Sequence, residues 1–152
     1  MTARGERGVT LIEMLVVIVV VGMAIPVLMT NFATVSMRSL KSEAVGDAAF
    51  YAEQLLEEIG SKEFVDPDYS GNTALGPNTG ETYPGYNDVD DYANFSRVDG
   101  PFTTSVMVTY ANLSGTAWVP VAAATDYKLV TVTVSNPRNM VNASMSTLIS
   151  KR

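Results

Sequence analysis

Glu13 is a single carboxylate at the head of an uncharged apolar run. The run opens Met14-Leu15-Val16-Val17-Ile18-Val19-Val20-Val21, and no charged residue follows until Arg38. About 20 apolar residues cross a bilayer core as a helix, so the run has the length of one crossing. A charge at a bilayer centre costs roughly 2.5 kcal/mol or more, so Glu13 needs a partner that offsets it. Arg4 and Arg7 precede the run, and few positive charges follow it closely. The positive-inside rule then places the N-terminus in the cytoplasm and the rest outside. The run is too long for a general secretory signal, and no convincing small-x-small cleavage site follows it.

Gly8-Val9-Thr10-Leu11-Ile12-Glu13 with its apolar run resembles the class III signal of type IV pilins and type II secretion pseudopilins. The matching positions are Gly8, Thr10, Leu11, Ile12, Glu13 and the run itself. Val9 departs: the family usually has Phe there, with Met or Leu as common variants. The resemblance implies that a prepilin peptidase cuts between Gly8 and Val9 and N-methylates Val9. It also implies that Glu13 serves assembly, its carboxylate paired with the new Val9 amine of a neighbouring subunit. Val9 and Glu13 lie one helical turn apart, so pairing within one helix is the alternative.

Gly22 and Pro26 interrupt the run. Proline removes a backbone donor and kinks a helix, so these two mark the expected kink. Pilins commonly carry a Gly and a Pro in this region; Pro26 sits one turn earlier than the usual one. Beyond the membrane, Val45, Ala48, Ala52, Leu55, Leu56 and Ile59 recur at three- and four-residue spacing and form one apolar stripe. Gly60 offers a stop. The expected organisation is therefore a leader over 1–8, an apolar assembly half of the helix over 9–35 and an amphipathic half over 36–60. A globular part, 61–152, follows.

Residues 61–100 read as a long loop rich in Gly, Pro, Asn and Asp, which are turn formers. Between Glu63 and Asp99 there are eight acids, Glu63, Asp66, Asp68, Glu81, Asp88, Asp90, Asp91 and Asp99, against only Arg97. A β-sheet is expected over 101–150, from the runs Phe102–Tyr110, Thr116–Val121, Tyr127–Ser135 and Met140–Ile149. Val130, Val132 and Val134 share one face, as do Val141, Ala143, Met145 and Ile149, the period-two signature of strands. The last two runs, joined through Asn136-Pro137-Arg138-Asn139, read as a hairpin. The fold class is α+β: a long N-terminal helix packed on three or four antiparallel strands, the pilin-like arrangement.

Asp66-Pro67-Asp68-Tyr69-Ser70-Gly71 resembles the opening of a calcium loop, with oxygen ligands at alternate positions and then a Gly. Pro77 stands where a closing Glu would sit, so Asp88, Asp90 and Asp91 are the candidates to complete a calcium site with Asp66 and Asp68. The competing reading is a set of Asp residues that make turns and cap backbone groups. Tyr83, Tyr86, Tyr92, Phe95 and Trp118 form either a binding face or, the favoured reading, pins that hold the loop on its own domain.

Composition excludes several functions. The chain has no His and no Cys, which removes Ser-His-Asp triads, cysteine nucleophiles and ordinary zinc sites. It also removes disulfides. No catalytic constellation is found, and an enzyme is not expected. A net charge of −6 without a basic cluster argues against nucleic acid, whose phosphates need Lys and Arg.

Four further segments resemble minor pilins of the mannose-sensitive haemagglutinin (MshD-like) type. They are Leu55–Ile59 with Phe64–Asp68, Leu75–Glu81, Asn87–Tyr92, and Lys128–Val134 with Ser146–Leu148. The resemblance implies a type IV pilin-like minor subunit, held in the bacterial inner membrane and then assembled with other pilin subunits by an assembly platform. A minor pseudopilin of a type II secretion system is the near alternative. An unassembled, membrane-anchored, acidic calcium-dependent binding module is the distant one.

Overall fold

The computed structural model describes residues 9–68, 73–138 and 141–151. They form one helix, α1 (Leu11–Gly60), a 3₁₀ turn (Asp90–Tyr92) and five strands. The strands are β1 (Ser96–Asp99), β2 (Phe102–Ser114), β3 (Ala117–Val121), β4 (Tyr127–Asn136) and β5 (Val141–Ser150). The chain divides into two compact units, one up to Leu40 and one from Lys41 onward.

The start of α1 is set locally. Thr10 stands at the cap position, and the Glu13 N–H donates to Thr10 O at 3.1 Å and to Thr10 Oγ1 at 3.4 Å. Thr-x-x-Glu before an apolar run is the capping-box spacing, and Glu13 lies in the first turn, where the helix dipole favours a negative charge. The helix continues through Gly22 and Pro26. Pro26 has no N–H to give the carbonyl four residues back, which is that of Gly22. At the other end Gly60 closes the helix: the Ser61 N–H donates to Glu57 O at 3.1 Å and Ser61 Oγ donates to Glu58 O at 2.6 Å.

Within the first unit the large apolar side chains from Val9 to Leu40 are exposed: Leu11 by 85%, Ile18 by 68% and Phe32 by 73%. The most apolar 18-residue window there has a mean hydropathy of 2.8, long and apolar enough to cross a membrane.

In the second unit, Ala44, Ala48, Ala52 and Ile59 are buried on one side of α1, with Leu55 and Leu56 packed beside them. Val45, expected in that stripe, is 45% exposed; the stripe starts at Ala44 and steps by four. The Tyr51 ring meets Phe102 of β2 at 5.4 Å. All strands are antiparallel, in the order β1-β2-β4-β5, and β3 also pairs with β2. Two-residue loops join β1 to β2 and β2 to β3. Gly100 and Gly115 take positive φ there (57° and 65°), as such tight hairpins require. On β4, alternate residues Lys128, Val130, Val132, Val134 and Asn136 face inward and are buried. The three valines are fully buried, each worth about 1.5 kcal/mol or more against exposure. The opposite face carries hydroxyls, with Thr131 meeting Ser146 at 2.8 Å and Thr133 meeting Ser144 at 3.2 Å.

The sheet is larger than expected. β1 lies inside the segment read as loop, so the sheet begins at Ser96, and five strands replace three or four. Ser96-Arg97-Val98-Asp99 is exposed at every position, so no alternation marks it; pairing with β2 alone makes it a strand.

Candidate functional site

Two places concentrate the chemistry: the head of α1 and the acidic segment beside β4. At the head of α1, Val9 is 65% exposed and Glu13 is exposed one turn further on. Gly8, the expected cleavage position, lies outside the described residues, as do Tyr69, Ser70 and Gly71 of the expected calcium loop and Asn139 and Met140 of the last hairpin.

The acidic segment is folded inward. Asp66, Asp88, Asp90 and Asp91 are all buried, against the usual preference of Asp for the surface. Asp66, Asp88 and Asp91 each accept N–H groups of the segment's own backbone. Asp66 Oδ1 accepts the Asp68 N–H at 2.7 Å, and its Oδ2 accepts the Asn78 side-chain amide. Asp88 Oδ1 accepts the N–H groups of Asp90 and Asp91 at 2.5 and 3.2 Å. Asp91 Oδ2 accepts those of Asn87 and Asp88 at 2.9 and 3.3 Å. Glu81 accepts the Asn78 N–H at 2.8 Å. These are the local side-chain-to-backbone bonds that let Asp build turns. Asp68 caps no group in this set and stands exposed. Among the described residues no three acidic side chains are grouped to hold a metal ion.

Sequence reasoning missed the cation at the centre. Lys128 is fully buried, and its Nζ lies 2.7 Å from Asp90 Oδ1. It donates to the Phe64 carbonyl and sits 4.1 Å from the centre of the Phe64 ring and 5.5 Å from that of Tyr110. The signal was present: Lys128 is in phase with Val130, Val132 and Val134, which puts it on the inward face. The Asp90 backbone also holds the segment, accepting the Gly76 N–H at 3.0 Å.

Burial acts on these groups. It raises Asp88 to about 6, helped by the Asp91 charge, while the Asp91 and Asp90 N–H groups pull the other way. Burial also raises Asp90, although Lys128 opposes the shift. Glu81 is held down by the Asn78 N–H, but burial and the Asp91 carboxyl raise it on balance. Tyr92 is raised by burial and then by Glu58, to which its hydroxyl donates at 2.6 Å.

Tyr83, Tyr86, Tyr92 and Phe95 touch one another, with ring centres 5.0–6.0 Å apart. They pin the segment to its own domain. Trp118 stands apart from them, 4.6 Å from Tyr127.

An exposed apolar helix with a carboxylate in its first turn, continuing into a small α+β domain, is the pilin-like arrangement. A family model of the prokaryotic N-terminal methylation motif matches residues 3–25, and this is the signal of type IV pilins and pseudopilins. That signal supports a precursor like those of type IV pilins and pseudopilins, in which it implies processing by prepilin peptidase and assembly with other pilins. Neither a curated protein nor a solved structure matches the chain.

Proposed function

We propose that this chain is a minor type IV pilin-like subunit. It is cut between Gly8 and Val9, methylated on Val9, stored in the inner membrane and drawn into a cell-surface filament through α1. The observation that carries the reading is the first unit. Its apolar side chains are exposed from Leu11 to Leu40, with one carboxylate at the head. Apolar surface of that extent marks a lipid or protein partner. In a filament the helices of neighbouring subunits bury it, and the Val9 amine of one subunit neutralises Glu13 of the next. The domain from Lys41 onward coats the filament and catalyses nothing. The segments that resemble MshD-like subunits favour a minor role.

Mass spectrometry of N-terminal peptides from sheared surface filaments of the native host tests this. A peptide beginning with N-methylated Val9 is expected there. The same processed peptide confined to the envelope would indicate a pseudopilin instead. An intact Gly8–Val9 bond would indicate an anchored protein that is never assembled.

A further inference from the structure

We propose that Lys128 and Asp90 form an intramolecular isopeptide bond that covalently ties the acidic segment to β4. The ammonium and the carboxylate form an ion pair shielded from solvent: side-chain exposure is 0% for Lys128 and 7% for Asp90. A buried ion pair regains its desolvation cost only with excellent geometry and full hydrogen bonding. Condensing the pair to a neutral amide removes both charges from the interior. The product's N–H keeps an acceptor close by, because Lys128 Nζ already reaches the Phe64 carbonyl.

The groups stand where the reaction needs them. Nζ is 2.7 Å from Asp90 Oδ1. A carboxyl C–O bond adds about 1.2 Å, so Nζ lies within about 4 Å of Cγ, close to the approach distance of an oriented nucleophile. The Phe64 and Tyr110 rings flank the amine, 4.1 and 5.5 Å from their centres, and the Lys128 side chain is fully shielded from solvent. The Asp91 and Asp66 carboxyls are near enough to act on Asp90 electrostatically.

The chemistry balances without a further reagent. Lys128 passes one proton to the Asp90 carboxylate, which leaves a neutral amine and a neutral acid. The Nζ lone pair attacks Cγ and forms the C–N bond. A second proton passes from nitrogen to the departing hydroxyl. The C–O bond breaks, one water leaves, and no net proton is gained or lost. The chain has no cysteine, so the amide is a covalent staple for a domain with no disulfide. The inference stands independently of the filament reading.

The test is mass spectrometry of the full chain, purified in detergent and digested with trypsin. With the bond, trypsin cannot cut after Lys128. Peptide 63–97 then remains joined to peptide 98–138, and the branched product weighs one water less than its two parts. Lys128→Arg should abolish the branched product. Asp90→Asn should yield the identical branched product, since the amide then forms with loss of ammonia. Recovery of linear 63–97, 98–128 and 129–138 from folded wild-type chain would overturn the proposal. So would a branched product that persists in Lys128→Arg.

Discussion

Asp88 is buried beside two other carboxylates, and its raised pKa makes the domain's stability depend on pH in a definite direction. A carboxyl that titrates near 6 when folded and near 3.8 when unfolded binds more protons in the folded state between those values. Stability then falls as pH rises. The contribution of Asp88 is complete below its unfolded pKa and lost as pH rises through about 6. Asp88→Asn keeps an oxygen for the Asp90 and Asp91 N–H groups and removes the titrating charge. It should raise stability at pH 7 and flatten the profile between pH 4 and 6, read by thermal melts from pH 4 to 7. Unchanged melting behaviour would show that Asp88 titrates normally. Tyr92→Phe deletes a hydroxyl that donates to the carboxylate of Glu58 at 2.6 Å. A buried hydroxyl bonded to a charged partner is worth about 1.5 kcal/mol, so the midpoint in a urea titration should drop, with the slope unchanged.

The second half of α1 shows which parts of the fold the sequence revealed and which it hid. Ala44, Ala48 and Ala52 bury one stripe at a spacing of four, ending on Ile59. Ala48→Leu puts a larger side chain into a fully buried position and should cost about 1–3 kcal/mol. Val45→Ala, at an exposed position, should cost less than about 0.5 kcal/mol. Denaturant melts of the two variants separate the observed stripe from one through Val45. The sequence pattern alone slipped by one residue because Val45 is the more apolar candidate, whereas the winning position is small and set by what α1 packs against. Periodicity served well in β4, whose alternate residues are buried, and less well in β5, where Met145, expected on the face of Val141, is exposed. It gave no sign of β1, whose four exposed residues have no inward face. The acidic segment was legible as turn-forming chemistry but not as buried, because its burial depends on Lys128 thirty-odd residues downstream. Local composition cannot register a countercharge that arrives through tertiary structure.

For the molecule as a whole, the two units solve opposite problems. From Lys41 onward the chain buries its own apolar surface, whereas up to Leu40 the apolar surface is left exposed. On the proposed function the first unit is completed by its surroundings, first lipid and then other helices. These would differ in what they offer Glu13. At the start of a membrane helix the carboxylate lies close to the headgroups and is cheaply solvated. Deep in a packed helical core it needs a countercharge, and on the proposed processing the Val9 amine would supply one. The capping bond at Thr10 is made by the Glu13 backbone N–H, so it survives a change of side chain. Glu13→Ala should accordingly leave processing and membrane insertion intact, since neither needs the carboxylate, and lose most incorporation into sheared filaments. Glu13→Gln keeps the shape but not the charge and should fail in the same way. Immunoblots of membrane and filament fractions, in cells lacking the native copy, measure both. Incorporation of Glu13→Ala at the wild-type level would defeat the amine pairing, whereas its loss from the membrane would show that the carboxylate acts before assembly.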